Sequence, residues 1–384
     1  MKRITTILSI IMAASMFLAA CAPAATPVPT EEPVVPTETV APTLPPTPEW
    51  TGPEGALVAV MADSAPTLDG VADDAAWANA EEIVIEVKSG FNGYSTEVHL
   101  KAIYTEDSIY FLMTYADPTE SWFRSPWQKQ EDGTWKQIKD PDDKGGDNNL
   151  YYEDKFAFIW PINNSIVDFE TKGCDTACHV ADGTGKPFGN KFTAGEGQLG
   201  DIWHWKSIRN LGQIDDQYLD WTAYDAEKSK EAGRKSDPKD SGGYSDNFAS
   251  MPDPADATKT VADKSKPGFT SASIDGTTAA PGFILDSEKV ALDQAALDAL
   301  AVGSYIPGIV KSQIVGDRGN ISAGWKYADG MWTIEFGRLL NTGSEFDVQF
   351  SDLTALYYFG VAVFENAQVR HAFQKGASVL VFKP

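Results

Sequence analysis

The chain has 384 residues, 42% of them hydrophobic, and its 31 basic and 55 acidic residues give a net charge of −24. A surface this acidic repels nucleic acid phosphates and anionic lipid headgroups, which argues against a nucleic-acid-binding function. The expected partners are cations, neutral molecules or basic patches on other proteins.

Residues 1–20 form a predicted export signal. Lys2 and Arg3 precede an uncharged apolar run from Ile4 to Ala20, which is typical of a secretory signal peptide. The run ends in Leu18-Ala19-Ala20-Cys21, which resembles the lipobox of bacterial lipoproteins and implies a lipid on Cys21. The alternative is an uncleaved anchor, for which the run is somewhat short. We expect a protein that is lipid-anchored to the outer face of the cell membrane or lies in the periplasm.

Residues 21–54 are a predicted disordered linker. The segment is rich in Pro, Thr and Glu, lacks Lys and Arg, and shows no apolar periodicity. Such a composition cannot bury enough apolar surface to offset the entropy lost on ordering, and its prolines favour an extended spacer.

Residues 55–384 are long enough for one large domain, and their pattern predicts an all-β fold. Short β-branched and aromatic runs bounded by Gly, Asp, Asn and Pro are typical of strands. The clearest runs are Ile83–Val87, Val98–Tyr104, Ile109–Tyr115, Phe156–Trp160, Trp332–Phe336, Tyr357–Phe364 and Val379–Phe382. They predict an immunoglobulin-like β-sandwich with long loops and few short helices.

Three further segments complete the predicted architecture. Ser287–Ala301 has a weak apolar face and predicts a helix, and Tyr327–Met331 predicts a hairpin turn with Gly330 at positive φ. Two polar, glycine-containing segments, Thr171–Gly200 and Glu227–Thr278, predict long loops. We expect the first loop to cover a site and the second to be partly mobile.

The most informative motif is Cys174-Asp175-Thr176-Ala177-Cys178-His179. Two cysteines followed directly by a histidine resemble the Cys-x-x-Cys-His attachment site of c-type haem, with a spacer one residue longer. In that interpretation each thiol is bonded to a haem vinyl group and His179 ligates the iron. A disulfide between Cys174 and Cys178 is the main alternative in an exported protein, and a zinc site, which would need further ligands, is the third.

Further segments resemble the ethylbenzene dehydrogenase-related haem-binding domain. Ala65–Trp77 resembles its opening, which a class of carbohydrate-binding modules shares, and Asp201–Arg209 is similar to its DxWxWK segment, which contributes Trp203 and Lys206. Matching segments follow in order to Arg370-His371-Ala372. The resemblance implies a sandwich that binds one haem and relays electrons, so an electron-transfer protein or subunit is favoured over a catalytic enzyme.

The resemblance also bears on the type of haem and on the partners. Family members that are subunits of molybdenum enzymes hold a b-type haem by Met and Lys, so a noncovalent haem held by Met113 and Lys375 stays open beside the favoured c-type haem. The implied partner is a redox protein, either a molybdenum oxidoreductase or a respiratory cytochrome. A second alternative is a carbohydrate-binding lipoprotein with a Cys174–Cys178 disulfide.

The second axial ligand must come from a small set of residues. His179 is the expected proximal ligand, and only His99, His204 and His371 remain among the histidines. His371 follows an apolar strand and is the first choice; His204, between Trp203 and Trp205, is the second, and Met113 the third. His99 alternates with apolar residues and is expected to lie on the opposite face of its strand. No phosphate-binding loop or nucleophile elbow accompanies these residues.

Overall fold

The computed structural model describes residues 52–143, 148–178, 191–225, 227–228, 232–278 and 280–383. The predicted signal peptide, nearly all of the predicted linker, the lipidation residue Cys21 and His179 lie outside these ranges, so those predictions are not tested.

Within these ranges the fold is mainly β. The strands are β1 Leu57–Met61, β2 Ile83–Lys88, β3 Thr96–Tyr104, β4 Ser108–Ala116, β5 Trp127–Lys129, β6 Trp135–Gln137, β7 Lys155–Pro161, β8 Gly200–Lys206, β9 Gln213–Leu219, β10 Arg234–Ser236, β11 Ser241–Asp246, β12 Ala249–Asp253, β13 Asp256–Asp263, β14 Phe269–Thr270, β15 Ile284–Leu285, β16 Val290–Ala291, β17 Tyr305–Ile306, β18 Ile309–Val315, β19 Ile321–Ala328, β20 Met331–Leu339, β21 Tyr357–Phe364, β22 Ala372–Gln374 and β23 Ser378–Lys383. All seven runs predicted as strands form strands, because branched and aromatic side chains pack well on a pleated surface.

Helices are few and short, as predicted. The α-helices are α1 Phe169–Lys172 and α2 Gln294–Ala299, and the 3₁₀ turns are Ala75–Asn79, Phe91–Gly93, Ile162–Asn164, Cys174–Thr176 and Asp317–Gly319. No helix in the described part of the chain has the length and apolar character needed to cross a bilayer.

The main sheet closes on itself. Its strands run in the order β22-β2-β3-β4-β20-β19-β9-β8-β7, and β21 closes the ring by pairing with both β7 and β22. The predicted β fold is therefore confirmed, with the two sandwich layers formed as opposite walls of one closed, barrel-like sheet. A closed sheet leaves no long exposed edge along which another chain could pair.

Two pairs of short strands fill the space between β21 and β3. The first half of β21 pairs with β23, while Ala362 and Val363 in its second half pair with β22. In the same way β3 pairs with β2 over Thr96–Leu100 and with β1 over Ala102–Tyr104. Each long strand therefore has two successive neighbours on one side, which brings the C-terminal strands beside the first ones.

Side chains that alternate along the strands fill the interior of the closed sheet with aromatic rings. The ring of Phe111 lies 5.3 Å from that of Phe336 and 5.6 Å from that of Trp203. Trp160 and Trp203 lie 5.1 Å apart, and all of these side chains are buried. The interior is therefore a packed core rather than an open cavity.

One buried carboxylate fixes the N-terminal segment to this core. Glu335 on β20 accepts hydrogen bonds from the backbone N–H of Gly70 at 2.9 Å and the indole N–H of Trp77 at 2.8 Å. Both donors belong to the Ala65–Trp77 segment that the sequence singles out. The segment thus has a structural role, because it supplies the donors that a buried carboxylate requires.

Two sequence predictions need correction. The helix predicted over Ser287–Ala301 is only α2, because Val290 and Ala291 form β16 and the side chain of Asp293 caps a later start by accepting from the N–H of Ala296. The loop predicted over Glu227–Thr278 contains β10 to β14. The sequence does not indicate these strands because both faces of strands such as β13 are largely exposed, so their side chains show no apolar alternation.

The predicted hairpin turn is confirmed. Ala328 and Met331 face each other across β19 and β20, and the turn residues Asp329 and Gly330 have φ of 53° and 78°. Positive φ at both central residues is the conformation that an Asp-Gly pair favours in a two-residue hairpin loop.

Candidate functional site

The cysteine segment lies against the outside of the closed sheet. It follows α1, and Gly173 forms a parallel bridge with Gly376, just before β23. Gly173 has φ of +57°, and a Cβ at this position would lie 1.9 Å from the carbonyl oxygen of Gly376. Only glycine allows this approach, so the residue before Cys174 sets the position of the motif.

Cys174 is buried in an apolar cluster on the outer face of β7 and β8, with Ile159, Ile202 and Phe169 among its neighbours. Its sulfur lies where a Cβ on Gly360 of β21 would be only 2.7 Å away. Burial, followed by the nearby Cys178, raises the pKa of the Cys174 thiol well above its usual range. The thiol is therefore protonated and shielded from solvent in this arrangement.

Cys178 is less buried than Cys174 and packs at the margin of the same cluster. Burial raises the pKa of its thiol to about 11, while the positive charges of Arg234 and Lys191 act in the opposite direction. Both cysteines are free thiols in the structure. His179, the expected proximal ligand, directly follows Cys178 but lies outside the described residues.

The segment from Trp203 to Lys206 divides its side chains between the two faces of β8. Trp203 and Trp205 belong to the interior core, whereas His204 and Lys206 point outward, on the same side as Ile202 and the cysteine segment. Trp203 therefore packs in the interior core, so its ring does not form a wall of a ligand site beside His204. Both faces of β8 are buried. Alternate side chains therefore differ in whether they face the interior core or the outer cluster, and not in their exposure to solvent.

His204 is the most unusual residue of this outer face. Its side chain is buried, Nδ1 lies 3.2 Å from Oε1 of Gln217, and Nε2 has no hydrogen-bond partner. Burial, with Lys206 and Lys155 next, lowers the pKa of the imidazole well below its usual value. The ring is therefore neutral near pH 7 and keeps a free lone pair on one nitrogen, which is the form that ligates a metal.

His371 lies on the same outer face, and one phenylalanine contacts both histidines. The ring of Phe364 stacks on His204 with a centroid distance of 5.7 Å and lies 4.7 Å from the ring of His371. The fold thus brings together two of the three histidines that the sequence offered as second ligands. The third, His99, lies on β3 and pairs with Glu82 at 2.8 Å.

The other sequence candidates lie elsewhere. Met113 is fully buried among the interior side chains, on the opposite side of the sheet wall from the cysteine cluster, and Lys375 is exposed. Lys206 forms a buried ion pair with Asp215 and lies 5.4 Å from the ring of Tyr244. Lys206 is therefore already neutralised by the protein itself.

Sequence reasoning missed the residues that shape this face. Ala157 on β7 lies opposite His204 and also opposite Ala362 on β21, so an alanine strip lies beside the imidazole, with Phe364 and Phe373 packed in the same cluster. Lys155, also on β7, is buried, and its Nζ lies 4.0 Å from the ring centre of Phe364. A single lysine or alanine in a strand carries no distinctive sequence signal, so only the pairing of β7, β8 and β21 identifies these residues.

Lys155 lacks an anionic partner among the residues that the structure describes. Burial lowers the pKa of its ammonium group well below the usual value, and its Nζ donates a hydrogen bond to the carbonyl oxygen of Gln368 at 3.2 Å. Among the described residues no carboxylate lies within 4.0 Å of its Nζ. A ligand with a carboxylate would supply the missing charge and restore the charged form of the lysine.

These features fit an iron porphyrin. The buried Nε2 of His204 has no partner, the alanine strip beside it is apolar and built from small side chains, and Lys155 can pair with a propionate. Cys178 at the margin of the neighbouring cluster adds a thiol on the same face. We call this surface, made by the outward side chains of β7, β8 and β21, the histidine face.

Comparison with known proteins gives three findings. A family model described as ethylbenzene dehydrogenase matches residues 74–376. Two structures of a family 9 carbohydrate-binding module from Caldicellulosiruptor kristjanssonii, in complex with cellotriose and with glucose, are 10% and 9% identical to the chain and have TM-scores of 0.30 and 0.29. The matches cover 85% and 84% of this chain and 94% of each module. No curated protein matches the chain.

Proposed function

The chain belongs to the ethylbenzene dehydrogenase family, and from this premise we propose that it is an exported haem protein that relays electrons for an oxidoreductase. The family model spans residues 74–376, so it includes both the cysteine segment and the histidine face. When bound, the haem iron would supply one-electron transfer between its ferric and ferrous states.

The chain's own residues would hold this group from several sides. Cys178, and Cys174 where its thiol becomes accessible, would fix the ring, and the adjacent His179 would ligate the iron. His204 would offer its neutral Nε2 as the second ligand, in preference to His371, whose ring contacts Phe364 and Phe373. Lys155 would bind a propionate, and the ring of Phe364 would exclude water from the imidazole.

The single observation that carries this proposal is the buried, unpartnered Nε2 of His204. A desolvated nitrogen without a partner costs free energy, roughly 1–3 kcal/mol. Its lowered pKa also prevents protonation from compensating for the loss of water. A ligand bond to iron would use this nitrogen, whereas a structural histidine would be expected to have both ring nitrogens paired.

An absorbance spectrum tests the proposal. We expect a Soret band in the full-length protein purified from a host with a cytochrome c maturation system, and a weaker, shifted band in His204→Ala. His99→Ala is the matched control, because His99 lies on β3 away from the histidine face and pairs with Glu82. A colourless wild-type protein, or equal spectra for the two variants and the wild type, would refute the proposal as stated.

A second candidate is a noncovalent b-type haem on the same face. It is favoured by the burial of Cys174, whose thiol packs against Gly360 and has a raised pKa, so that it is poorly placed for bonding to a vinyl group. Extraction with acidified acetone separates the two candidates. A covalently bound haem stays with the protein in this extraction, whereas a b-type haem moves to the organic phase.

The proposed setting follows from the N-terminal residues and the family. We propose that Cys21 carries the lipid anchor and that the electron partner is a molybdenum oxidoreductase or a respiratory cytochrome. A Cys21→Ser variant should move from the membrane fraction to the soluble fraction and lose incorporation of labelled palmitate. Retention of the variant in the membrane would contradict the lipid anchor and leave the haem proposal unaffected.

A further inference from the structure

Five aspartates converge on the Trp203 side of β8 and β9, on the opposite face of these strands from His204. They are Asp201 on β8, Asp216 on β9, Asp237 just after β10, Asp317 in a 3₁₀ turn and Asp347 between β20 and β21. All but Asp317 are buried. Their carboxylates form two groups of three that share Asp347, with the nearest oxygens of each group within 4.8 Å of one another.

The first group already contains a cation. The guanidinium of Arg338 lies 2.8 Å from Asp347, 3.2 Å from Asp201 and 3.8 Å from Asp216. Arg338 also stacks over the ring of Trp203 at 4.8 Å, which fixes its plane. A further ion is therefore not required to neutralise this group.

The second group, formed by Asp237, Asp317 and Asp347, contains no cation of its own. Among the residues that the structure describes, no lysine, arginine or histidine nitrogen lies within 4.0 Å of the carboxylates of Asp237 or Asp317. Arg318, the nearest in sequence, is directed instead to Asp215. Of these three carboxylates, only Asp347, which belongs to both groups, is paired with a cation, the guanidinium of Arg338.

Unpartnered oxygens point to a ligand in this second group. Asp237 is 3% exposed, yet neither of its carboxylate oxygens has a hydrogen-bond partner. Asp347 uses Oδ2 for Thr342 at 2.6 Å and for Asn320 at 3.0 Å, while its Oδ1 has no partner. Buried carboxylate oxygens are normally satisfied, so these atoms indicate a missing positive partner.

An amide adds a neutral oxygen to the same place. Asn320 donates through Nδ2 to Asp317 at 3.1 Å and to Asp347 at 3.0 Å, and its Oδ1 has no partner. The two ends of an amide are equivalent in shape, so turning the side chain over would aim Oδ1 at an ion between the carboxylates. The atoms that could ligate an ion at this place are then all oxygens.

We propose that Asp237, Asp317 and Asp347, with the amide oxygen of Asn320, form a binding site for one calcium ion. Calcium takes about six to eight oxygen ligands in flexible geometry, and carboxylates and amide oxygens are its usual protein ligands. Waters complete the shell on the side of the half-buried Asp317. Magnesium requires near-ideal octahedral geometry, which carboxylates from three separate segments provide less readily.

The ion would tie together three segments that flank strands of the main sheet. Asp237 follows β10, Asp317 and Asn320 belong to the turn between β18 and β19, and Asp347 belongs to the segment between β20 and β21. Through Asp347 the site reaches Arg338 and thereby the core tryptophan Trp203. The site is independent of the haem proposal, so the two can fail separately.

Titration of the full-length protein with calcium tests the site. The protein is treated with EGTA, desalted, and titrated with calcium chloride and separately with magnesium chloride in a calorimeter, with the melting temperature measured in parallel. We expect one calcium per chain, a higher melting temperature with calcium, and weaker binding of magnesium. Asp237→Asn should weaken calcium binding at least tenfold, whereas the exposed control Asp352→Asn should bind like the wild type.

Two results would overturn the proposal. One is a wild-type protein that gives no heat with calcium and melts at the same temperature with calcium and with EGTA. The other is unchanged calcium affinity in both Asp237→Asn and Asp317→Asn, which would place the ion elsewhere. If Asp237→Asn does not fold, Asp317→Asn replaces it, because Asp317 is less buried.

Discussion

His204 stacks on Phe364 with ring centroids 5.7 Å apart and an interplanar angle of 27°, and its outer nitrogen has no partner. The contact fixes the orientation of a neutral imidazole on the outer wall of the closed sheet. Burying a polar nitrogen without a hydrogen-bond partner lowers the free energy of unfolding. Such a loss of stability is typical of residues in functional sites.

We predict that His204→Leu will reduce haem binding strongly while changing the stability of the haem-free protein only slightly. Leucine removes the unpartnered nitrogen but also the contact with Gln217, so the free energy of unfolding of the haem-free protein should change by less than about 1 kcal/mol. The Soret absorbance per chain should fall severalfold. Urea denaturation and absorbance spectra measure the two effects, and His99→Leu should change neither strongly. A large loss of stability with unchanged absorbance would make His204 a structural residue.

Gly360→Ala should displace Cys174. The new Cβ would lie 2.7 Å from the cysteine sulfur, so the methyl group overpacks the cluster and should lower the free energy of unfolding by roughly 1–3 kcal/mol. In the double variant with Cys174→Ala the clash is absent, and a double-mutant cycle should give a coupling of about 1 kcal/mol or more. Gly195→Ala is the control, since its Cβ would meet only the flexible end of Gln198. Additive effects would mean that the two residues are not in contact.

Arg338→Met should be strongly destabilising. It removes the guanidinium that lies among Asp201, Asp216 and Asp347, and leaving buried charges unpaired typically costs about 3–5 kcal/mol. Chemical denaturation measures the loss. Lys88→Met is the control, because Lys88 forms an exposed pair with Glu86 and should have little effect. Equal stabilities for the two variants would show that Arg338 does not hold the cluster together.

Glu335→Gln should loosen the N-terminal segment. The amide presents an NH₂ group to one of the two sites where Gly70 and Trp77 now donate to the carboxylate, so one donor loses its acceptor. The expected cost is about 1–3 kcal/mol. Hydrogen exchange should increase in residues 66–80 before the rest of the protein. Glu86→Gln, at an exposed position, is the control and should leave exchange in this segment unchanged.

Asp117→Asn should flatten the dependence of stability on pH. Burial and the neighbouring Asp154 raise the pKa of Asp117 to about 8. Burial also raises the pKa of Asp154, to about 7. The side chains of Glu365, Tyr94 and Tyr115 face the same pair of carboxyl groups. Between about pH 4 and 8 this pair of carboxyl groups therefore binds more protons in the folded state than in the unfolded state, so its contribution to stability falls as the pH rises.

Urea denaturation at pH 5, 7 and 9 measures this effect. The stability of the wild type relative to Asp117→Asn should fall over that range, because the amide cannot ionise. Asp275→Asn is the control, since hydrogen bonds from Thr277 lower the pKa of the exposed Asp275 and its titration lies below this range. Parallel curves for the wild type and Asp117→Asn would show that Asp117 does not titrate as inferred.

Strong local patterns made the main strands predictable. Val98, Leu100 and Ala102 alternate with partly exposed residues along β3, and such alternation follows directly from the geometry of a strand with one buried face. The polar strands β11 to β13 lack this signal, because they pair with each other or with β18 away from the core. Their formation depends on backbone pairing partners that the local sequence does not reveal.

The site was only partly predictable for a related reason. The sequence identified Cys174, Cys178 and His204 because cysteine and histidine are rare and chemically distinctive. It did not identify Lys155, Phe364 or the alanine strip, since each is an ordinary residue of its own strand. Their significance arises from the register that places Ala157 opposite His204 and Lys155 opposite Phe364.

The sequence by itself therefore determined the β character of the chain, its family resemblance and the chemistry of its rare residues, because these depend on local pattern and residue type. Only the tertiary structure decided that the sheet closes through β7 and β21, that Met113 and Trp203 face the core while His204 and Cys174 face outward, and that five aspartates meet in one cluster. These properties arise from pairing between residues far apart in the chain, and a side chain's face, neighbours and charge state are set by that pairing.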